Sequence, residues 1–234
     1  MSVVLKGENL IKVYGDKDLE FTALKGINFQ INKGELVVIF GQSGAGKSTL
    51  LNLIGGMDYV TSGKLYVNGT DISKYSKKEL VNYRRNNIGF VFQFYNLMPN
   101  LTSKENVELA VELKKDALDP VSILDKVGLS DKLDNFPSQL SGGEQQRVSI
   151  ARAIAKNADI ILCDEPTGAL DYETGKEILS LLQREAKEFN KTVIIVTHNS
   201  QLQEMADHLI RLKNGTIVLD EYNDNPKDIK DIEW

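Results

Sequence analysis

The sequence contains a single cysteine, Cys163, among its 234 residues, which excludes an intramolecular disulfide. A chain with so little cysteine is typical of a reducing compartment, and we expect the cytosol. The longest apolar runs, LVVIF, VIIV and IIL, fall far short of the roughly 20 residues that a membrane-spanning helix needs. The first residues, MSVVLKGENL, lack the charged and long apolar regions of a signal peptide, so none is predicted.

The chain also lacks a net positive charge. The chain carries 28 basic and 33 acidic residues, with a formal net charge of -5 and a pI near 5.2. This balance predicts no nucleic-acid partner, because nucleic acid is attracted to a basic surface. The hydrophobic fraction of 41% is sufficient for a sizeable core, and we find no internal repeat. We therefore predict that residues 1–234 form a single domain.

Short β-rich runs do occur, and they alternate with helical patterns. The predicted strands are apolar on both faces, which favours burial between two layers, and they span residues 35–40, 87–93, 159–165 and 192–198. Helical patterns lie between them at residues 47–55, 76–85 and 171–189. This alternation is typical of an α/β fold, in which helices cover a mostly parallel sheet.

Two other regions have their own patterns. The first thirty residues alternate apolar and polar side chains, which predicts an antiparallel β layer. Between residues 94 and 157 helical patterns dominate, and we predict a helical subdomain inserted into an α/β core of residues 1–93 and 158–221. Prolines punctuate this region at Pro99, Pro120 and Pro137.

The C-terminal region predicts a hairpin followed by a tail. Asn214 and Gly215 form a two-residue turn signal between apolar runs. The tail, residues 222–234, is polar and charged, which predicts either a short surface helix or a disordered segment.

A glycine-rich segment, GQSGAGKST at residues 41–49, directly follows the first predicted buried strand. Residues 41–48 match the pattern G-x-x-x-x-G-K-[ST], in which backbone amides at a helix start surround a nucleotide phosphate. Lys47 would reach the β- and γ-phosphates, and Ser48 would ligate Mg²⁺. A chance glycine-rich turn is the alternative, which the flanking strand and helix disfavour. The predicted nucleotide-binding residues here are Gly41, Gln42, Ser43, Gly44, Ala45, Gly46, Lys47, Ser48 and Thr49.

A pair of carboxylates ends the predicted strand at 159–165. Asp164 would be costly to bury unpaired, and holding Mg²⁺ compensates that cost. Glu165 is placed to act as the general base for a water that attacks the γ-phosphate. The alternative is that both carboxylates merely cap the next turn. Cys163 beside them is interpreted as a small buried hydrophobe.

The segment LSGGEQQR, residues 140–147, combines a hydroxyl, two glycines and a helix start, which predicts a second anion site. With this order of segments, the chain resembles the ATP-binding subunit of ABC transporters over nearly its whole length. The resemblance implies a P-loop NTPase fold and a head-to-tail homodimer around two ATP molecules. In it, Ser141, Gly142, Gly143 and Glu144 cover the γ-phosphate bound by the other subunit. Alone, this segment would predict only a helix start capped by Ser141.

The resemblance assigns roles to four further residues. Tyr14 would stack on adenine, although a structural strand-end tyrosine is the alternative. Gln93 would sense Mg²⁺ and the attacking water, and Asp171 would cross the dimer interface. His198 would contact the γ-phosphate, whereas an isolated strand-end histidine is usually structural.

Two stretches, residues 53–63 and 164–175, resemble the macrolide-efflux and lipoprotein-release branch, the MacB/LolD-like branch. That resemblance implies a separate integral-membrane permease, with an extracytoplasmic adaptor protein as a further partner. The chain would then lie on the inner face of the cell membrane. A groove near Phe94, Tyr95, Leu97 and Met98 would accept a permease helix, unless these side chains simply pack the subdomain.

Two other functions fit the sequence about equally well, and a third fits it less well. An importer subunit and a regulatory ATPase of a cell-wall enzyme complex would have nearly the same sequence. An ATPase acting on ribosomes or DNA is disfavoured by the single cassette and the acidic balance. The transported substrate would contact the permease, so no residue of this chain predicts it.

Overall fold

The computed structural model describes residues 2–16, 19–112, 114–168 and 170–233. The strands are β1 (Val3–Tyr14), β2 (Phe21–Asn32), β3 (Leu36–Phe40), β4 (Ser62–Val67), β5 (Thr70–Asp71), β6 (Ile88–Val91), β7 (Ile160–Asp164), β8 (Thr192–Thr197), β9 (His208–Lys213) and β10 (Thr216–Tyr222). The helices are α1 (Lys47–Ile54), α2 (Lys77–Asn87), α3 (Ser103–Val111), α4 (Pro120–Lys126), α5 (Gly142–Ala155) and α6 (Tyr172–Phe189).

The centre of the molecule is a six-stranded sheet with the order β10-β9-β3-β8-β7-β6. All neighbours pair in parallel except the antiparallel hairpin of β9 and β10. Strands β3, β6 and β8 are buried along their whole length, because helices or the second sheet cover both faces. The predicted α/β class with a mostly parallel sheet is therefore confirmed.

A second, antiparallel sheet has the order β2-β1-β4-β5. Its first two strands confirm the antiparallel layer that the N-terminal alternation predicts. Strands β4 and β5 were not predicted, although Asn68 and Gly69 between them both take the positive φ angles of a tight hairpin turn.

Residues 94–112 and 114–157 contain helices α3, α4 and α5 and no strand. Local signals begin each helix: Thr102 and Ser141 form capping boxes, and Asp119 caps α4 just before Pro120. We propose that these residues form the predicted helical subdomain, with residues 1–93 and 158–221 as the core. None of the helices among the described residues is long and apolar enough to cross a membrane.

The C-terminal hairpin turns at Asn214 and Gly215, with φ angles of 51° and 80°, as predicted. The tail differs from both predicted alternatives. It forms a 3-10 turn at Ile229–Asp231, and the side chains of Ile229 and Ile232 are buried in the core against α6. Gln183 of α6 also holds the tail, since its side chain donates to the Lys227 carbonyl at 2.9 Å and accepts from the Ile229 amide at 3.2 Å.

Candidate functional site

A cleft of about 550 Å³ opens at the carboxyl ends of the parallel strands. The loop after β3, the end of β7 and the residues that follow β6 and β8 all reach this edge, where α/β sheets bind their ligands. The lining residues are Phe21, Ala23, Ser43, Gly44, Gly46, Lys47, Ser48, Thr49, Gln93, Asp164, Glu165 and His198.

The glycine-rich loop forms one wall of the cleft. Gly46 has a φ of 102°, and a Cβ there would lie 2.8 Å from the carbonyl oxygen of Ala23, so only glycine fits. Helix α1 begins at the next residue, which directs its unpaired amides at the cleft. Gly41, Gln42 and Ala45 lie on the other side of the loop and line a neighbouring pocket with Ser43.

Lys47 is almost buried, and its ammonium is held by the loop itself. Its Nζ donates to the carbonyl oxygens of Gly41, at 2.8 Å, and Gln42, at 3.2 Å. Because these acceptors are neutral, an anion in the cleft would bind the same ammonium more strongly.

Ser48 and Asp164 meet across the cleft. The Ser48 hydroxyl donates to Asp164 Oδ1 at 3.1 Å, and Asp164 ends the buried strand β7. Burial raises the pKa of the Asp164 carboxyl above its usual value, although the Ser48 hydrogen bond opposes this. A cation beside this carboxylate would compensate its loss of water.

The oxygen donors of the cleft fit Mg²⁺. The described residues contain no group of three or more His, Cys, Asp and Glu side chains able to hold a metal by themselves. Mg²⁺ does not need such a group, since it binds through one or two protein oxygens together with substrate phosphates and water. Ser48, Asp164 and Gln93 all line the cleft and supply such donors.

Glu165 has a strained backbone and a fixed side chain. Its φ of 47° lies in the left-handed region, which costs a non-glycine residue about 1–3 kcal/mol. Its amide donates to the Val196 carbonyl at 2.9 Å, which holds this conformation. The Thr197 hydroxyl donates to Oε2 at 3.2 Å, and Nδ1 of the mostly exposed His198 lies 2.8 Å from Oε1. Sequence reasoning missed Thr197, because nothing in a strand-end threonine distinguishes it.

Tyr14 does not line the cleft. Its hydroxyl donates to Asp58 Oδ2 at 2.8 Å, and the Lys12 ammonium lies 4.7 Å from the centre of its ring. Phe21, which pairs with Tyr14 across β1 and β2, lines the cleft instead and is 61% exposed. Sequence reasoning missed Phe21 and Ala23, because only the register of β1 and β2 places them there. The adenine-stacking role of Tyr14 stays a prediction.

Residues 141–144 begin α5 away from the cleft. The Ser141 hydroxyl accepts from the Glu144 amide at 3.2 Å, and Glu144 Oε2 accepts from the Ser141 amide at 2.7 Å. The capped helix start, which was the structural alternative, is thus present. None of these four residues, which include Gly142 and Gly143, is among the residues that line the cleft.

Asp171 lies beside that helix start. It caps α6 by accepting from the Thr174 amide at 3.0 Å and the Thr174 hydroxyl at 2.8 Å. A Cβ on Gly143 would lie 2.6 Å from the Thr174 methyl group, so the two helix starts are in contact. The predicted site residues therefore form two groups: the cleft, and a cluster of residues 141–144 with Asp171, which we call the signature cluster.

Cys163 belongs to neither group, and its environment is not that of a reactive thiol. It is fully buried in β7, and burial raises the pKa of its thiol far above the usual value. Its interpretation as a small buried hydrophobe agrees with this environment.

Comparisons with known proteins found a matching family and several relatives. The ABC transporter family profile matches residues 24–168. The macrolide export ATP-binding/permease protein MacB of Campylobacter fetus is 44% identical, over 97% of this chain and 37% of MacB. The chain thus spans about a third of the length of the MacB relatives it matches. An uncharacterized ABC transporter ATP-binding protein of Thermotoga maritima is 43% identical, over 93% of this chain and 94% of that protein.

A solved structure shares the whole architecture. The ATP-binding cassette MJ0796, in a dimeric post-hydrolysis state bound to ADP and Pi, superposes with a TM-score of 0.87. It is 41% identical, and the match covers 93% of this chain and 98% of that one. From the matched profile, the relatives and the similar solved structure, the chain belongs to the ABC transporter family, as an ATP-binding cassette ATPase.

Proposed function

We propose that this chain hydrolyses ATP as a head-to-tail homodimer and thereby drives a separate membrane permease of the MacB/LolD-like kind. The observation that carries this proposal is that the predicted site residues form two separate groups. The phosphate cleft and the signature cluster both have anion-binding chemistry, yet they do not meet within one chain. A second copy would bring its signature cluster to the first copy's nucleotide, and the similar cassette MJ0796 is described as dimeric.

Binding of ATP would begin at the loop of residues 41–49. The Lys47 ammonium would exchange the carbonyl oxygens of Gly41 and Gln42 for the β- and γ-phosphates, a charge-assisted contact. Ser48, Asp164 and Gln93 would hold Mg²⁺, which when bound neutralises phosphate charge. The exposed ring of Phe21 adds an apolar surface at the mouth of the cleft.

Glu165 is the residue we assign to proton removal. Its carboxylate faces the cleft, and two hydrogen bonds, from Thr197 and with His198, fix both of its oxygens. A fixed carboxylate next to the γ-phosphate accepts the proton of an attacking water without first reorganising. The exposed His198 would then turn toward the γ-phosphate when the nucleotide and the partner cover it.

The signature cluster would close the site from the partner's side. The amides at the start of α5 and the Ser141 hydroxyl would bind the γ-phosphate, and Asp171 would lie at the interface. Hydrolysis and phosphate release remove the anion that these groups share, so the two copies separate. The dimer thus converts phosphate release into movement.

The movement would reach the permease through a surface beside Gln93. Phe94 is 78% exposed and Met98 is 46% exposed, whereas Leu97 packs against the core. A neighbouring groove of about 360 Å³ is lined by Met57, Phe90, Phe92 and Leu109 among others. Arg152 also lines it and donates to the carbonyl oxygens of Tyr95 and Asn96, which fixes the loop at the groove's rim. Such a groove suits an amphipathic helix.

The MacB/LolD-like assignment rests on residues 53–63 and 164–175 and on the MacB relatives. A separate permease is favoured by the Thermotoga maritima relative, which the match covers almost fully. In this arrangement the ATPase lies in the cytoplasm, on the inner face of the cell membrane. An extracytoplasmic adaptor protein would complete an exporter of this branch.

Steady-state hydrolysis over a dilution series tests the dimer. We expect activity per chain to fall on dilution and to rise cooperatively with ATP, because one chain lacks a complete site. The Glu165→Gln variant should retain ATP and form a stable dimer on size exclusion while losing turnover. Equal activity per chain at every dilution would contradict the shared site, and undiminished turnover in the variant would contradict the base assignment.

Purification from native membranes in mild detergent tests the partner. We expect a permease with four spans and a large outer domain to co-purify, and the Phe94→Asp variant to lose it without losing ATP binding. Glu20→Gln, at an exposed position in the connection between β1 and β2, offers a surface control. Recovery of a permease with a solute-binding protein would replace our proposal by an importer, and recovery of ribosomes or DNA alone would overturn it.

A further inference from the structure

A second cavity, of about 510 Å³, lies outside the nucleotide cleft, along α6 next to the signature cluster. It opens between α6, one residue of α5, the end of α4 and the C-terminal tail, and it shares no residue with the nucleotide cleft. We call it the basic cavity. Its lining residues are Lys126, Val127, Gly128, Arg147, Glu173, Lys176, Glu177, Ser180, Leu181, Arg184 and Lys230.

The charge of the basic cavity opposes that of the chain. Five basic and two acidic side chains line it, although the whole chain has a net charge of -5. A concave surface with one dominant sign of charge raises the local concentration of the opposite ion. The composition of the chain therefore does not account for this cavity, and its charge favours an anion.

Two arginines in the cavity have buried Nε groups without acceptors. Arg184 makes no hydrogen bond or ion pair within the part of the chain that the structure describes, and its Nε is buried. The Nε of Arg147 is likewise buried without a partner, and its Nη1 contacts only Glu177, at 3.4 Å. A buried donor without an acceptor costs about 1–3 kcal/mol. An anion that rearranges these guanidinium groups around itself would recover part of that cost.

The remaining walls are fixed by contacts within the chain. Lys176 Nζ donates to the Lys230 carbonyl at 3.1 Å and lies 5.0 Å from the centre of the Tyr172 ring. Val127 is buried and Leu181 packs partly against the core, so the floor is apolar. The cavity thus combines fixed apolar walls with two guanidinium groups whose Nε atoms lack acceptors, as ligand sites combine apolar walls with a few polar groups.

We propose that the basic cavity binds a small phosphorylated anion, at a site separate from the nucleotide cleft. Guanidinium groups match the oxygens of a phosphate in two parallel hydrogen bonds, which favours phosphate over a singly charged halide. The volume exceeds that of inorganic phosphate and admits a ligand with an apolar portion against Val127 and Leu181. This proposal does not depend on transport or on the dimer.

Calorimetric titration with inorganic pyrophosphate, at constant ionic strength, tests the site. The Lys47→Ala background removes the main phosphate ligand of the cleft, and the Arg184 variants then show whether the remaining saturable binding lies in the basic cavity. We expect Arg184→Gln to weaken that binding at least tenfold, and Arg184→Lys to restore part of it. Lys78→Gln, on the exposed surface of α2, removes the same charge and should leave the affinity unchanged.

Amide NMR shifts locate the bound ion. We expect pyrophosphate to shift residues 126–128 and 173–184 more than the loop at 41–49. Absence of saturable binding, shifts confined to 41–49, or equal weakening by Lys78→Gln would each overturn the proposal. If urea titrations show that Arg184→Gln does not fold, Lys126→Gln takes its place, because Lys126 is an exposed residue of the same cavity. The proposal then fails unless Lys126→Gln weakens binding at least threefold.

Discussion

His208 should make the stability of this protein depend on pH. It is fully buried in β9, where its Nε2 lies 2.6 Å from Asp220 Oδ1 and its Nδ1 lies 3.5 Å from Glu35 Oε2. Its ring stacks on Tyr222, with 4.3 Å between ring centres. The neighbouring Asp207 is engaged by the Leu36 amide. The charged imidazolium therefore joins the last hairpin to the turn before β3.

The size of the effect follows from the pKa. Burial alone would lower the pKa of His208, but the hydrogen bonds and charges of Asp220 and Glu35 outweigh it and raise the pKa to about 9. In the unfolded chain a histidine has a pKa of about 6.5. Because the folded value is the higher one, the stabilisation is fully present below about pH 6.5 and disappears as the pH rises through about 9. The difference corresponds to about 3 kcal/mol.

Urea unfolding of the wild type and of His208→Gln between about pH 6 and pH 10 measures this contribution. The difference in unfolding free energy between the two proteins should shrink by about 3 kcal/mol over that range. Lys156, whose pKa burial lowers to about 8, and the buried thiol of Cys163 titrate equally in both proteins, so their effects cancel.

A constant difference across the range would refute the reasoning, since it would mean that folding does not change the proton affinity of His208. A difference that grows with pH would mean that burial lowers the pKa of His208 more than the two carboxylates raise it. The imidazole resonances supply an independent check: those of His208 should titrate well above the pH of about 6.5 that is usual for histidine.

Three further results are expected. Lys47→Ala should weaken ATP binding by about 10- to 100-fold in calorimetry, because a charge-assisted contact contributes roughly 1.5–3 kcal/mol, and unchanged affinity would contradict the role of the ammonium. Gly46→Ala should lower the unfolding free energy by about 1–3 kcal/mol, since φ is 102° there and the Cβ would meet Ala23. An unchanged unfolding free energy in urea titrations would contradict the expected backbone strain. Ser141→Ala should cost about 1 kcal/mol by loss of the helix cap and reduce hydrolysis only where chains associate, which the dilution series measures.

Local signals made much of the site predictable. The phosphate loop needs glycines at fixed spacing next to a lysine, and Lys47 and Ser48 lie where that spacing puts them. Asp164 and Glu165 follow a buried strand, and in a parallel sheet every strand delivers its carboxyl end to the same edge. For the same reason Gln93 and His198 reach the cleft, although more than a hundred residues separate them.

Contacts that depend on register or on tertiary packing were not predictable. Phe21 reaches the cleft because it pairs with Tyr14 across two strands, and the sequence alone does not specify that register. The burial of Ile229 depends on its packing against α6, which no local sequence pattern predicts. His208 likewise looks like an ordinary strand residue until β9 and β10 bring Asp220 against it.

The position of β3 has a consequence for how the chain folds. This strand presents the phosphate loop, yet its two neighbours are β8 and β9, which are synthesised more than 150 residues later. The loop therefore leaves the ribosome on a strand that has no hydrogen-bonded neighbours, and the sheet around it closes only when the last strands arrive. Such long-range pairing slows folding, because loop-closure entropy must be overcome before the contacts form. A nascent chain that stops before His208 should lack a competent nucleotide site, so ATP binding reports that synthesis has passed β9.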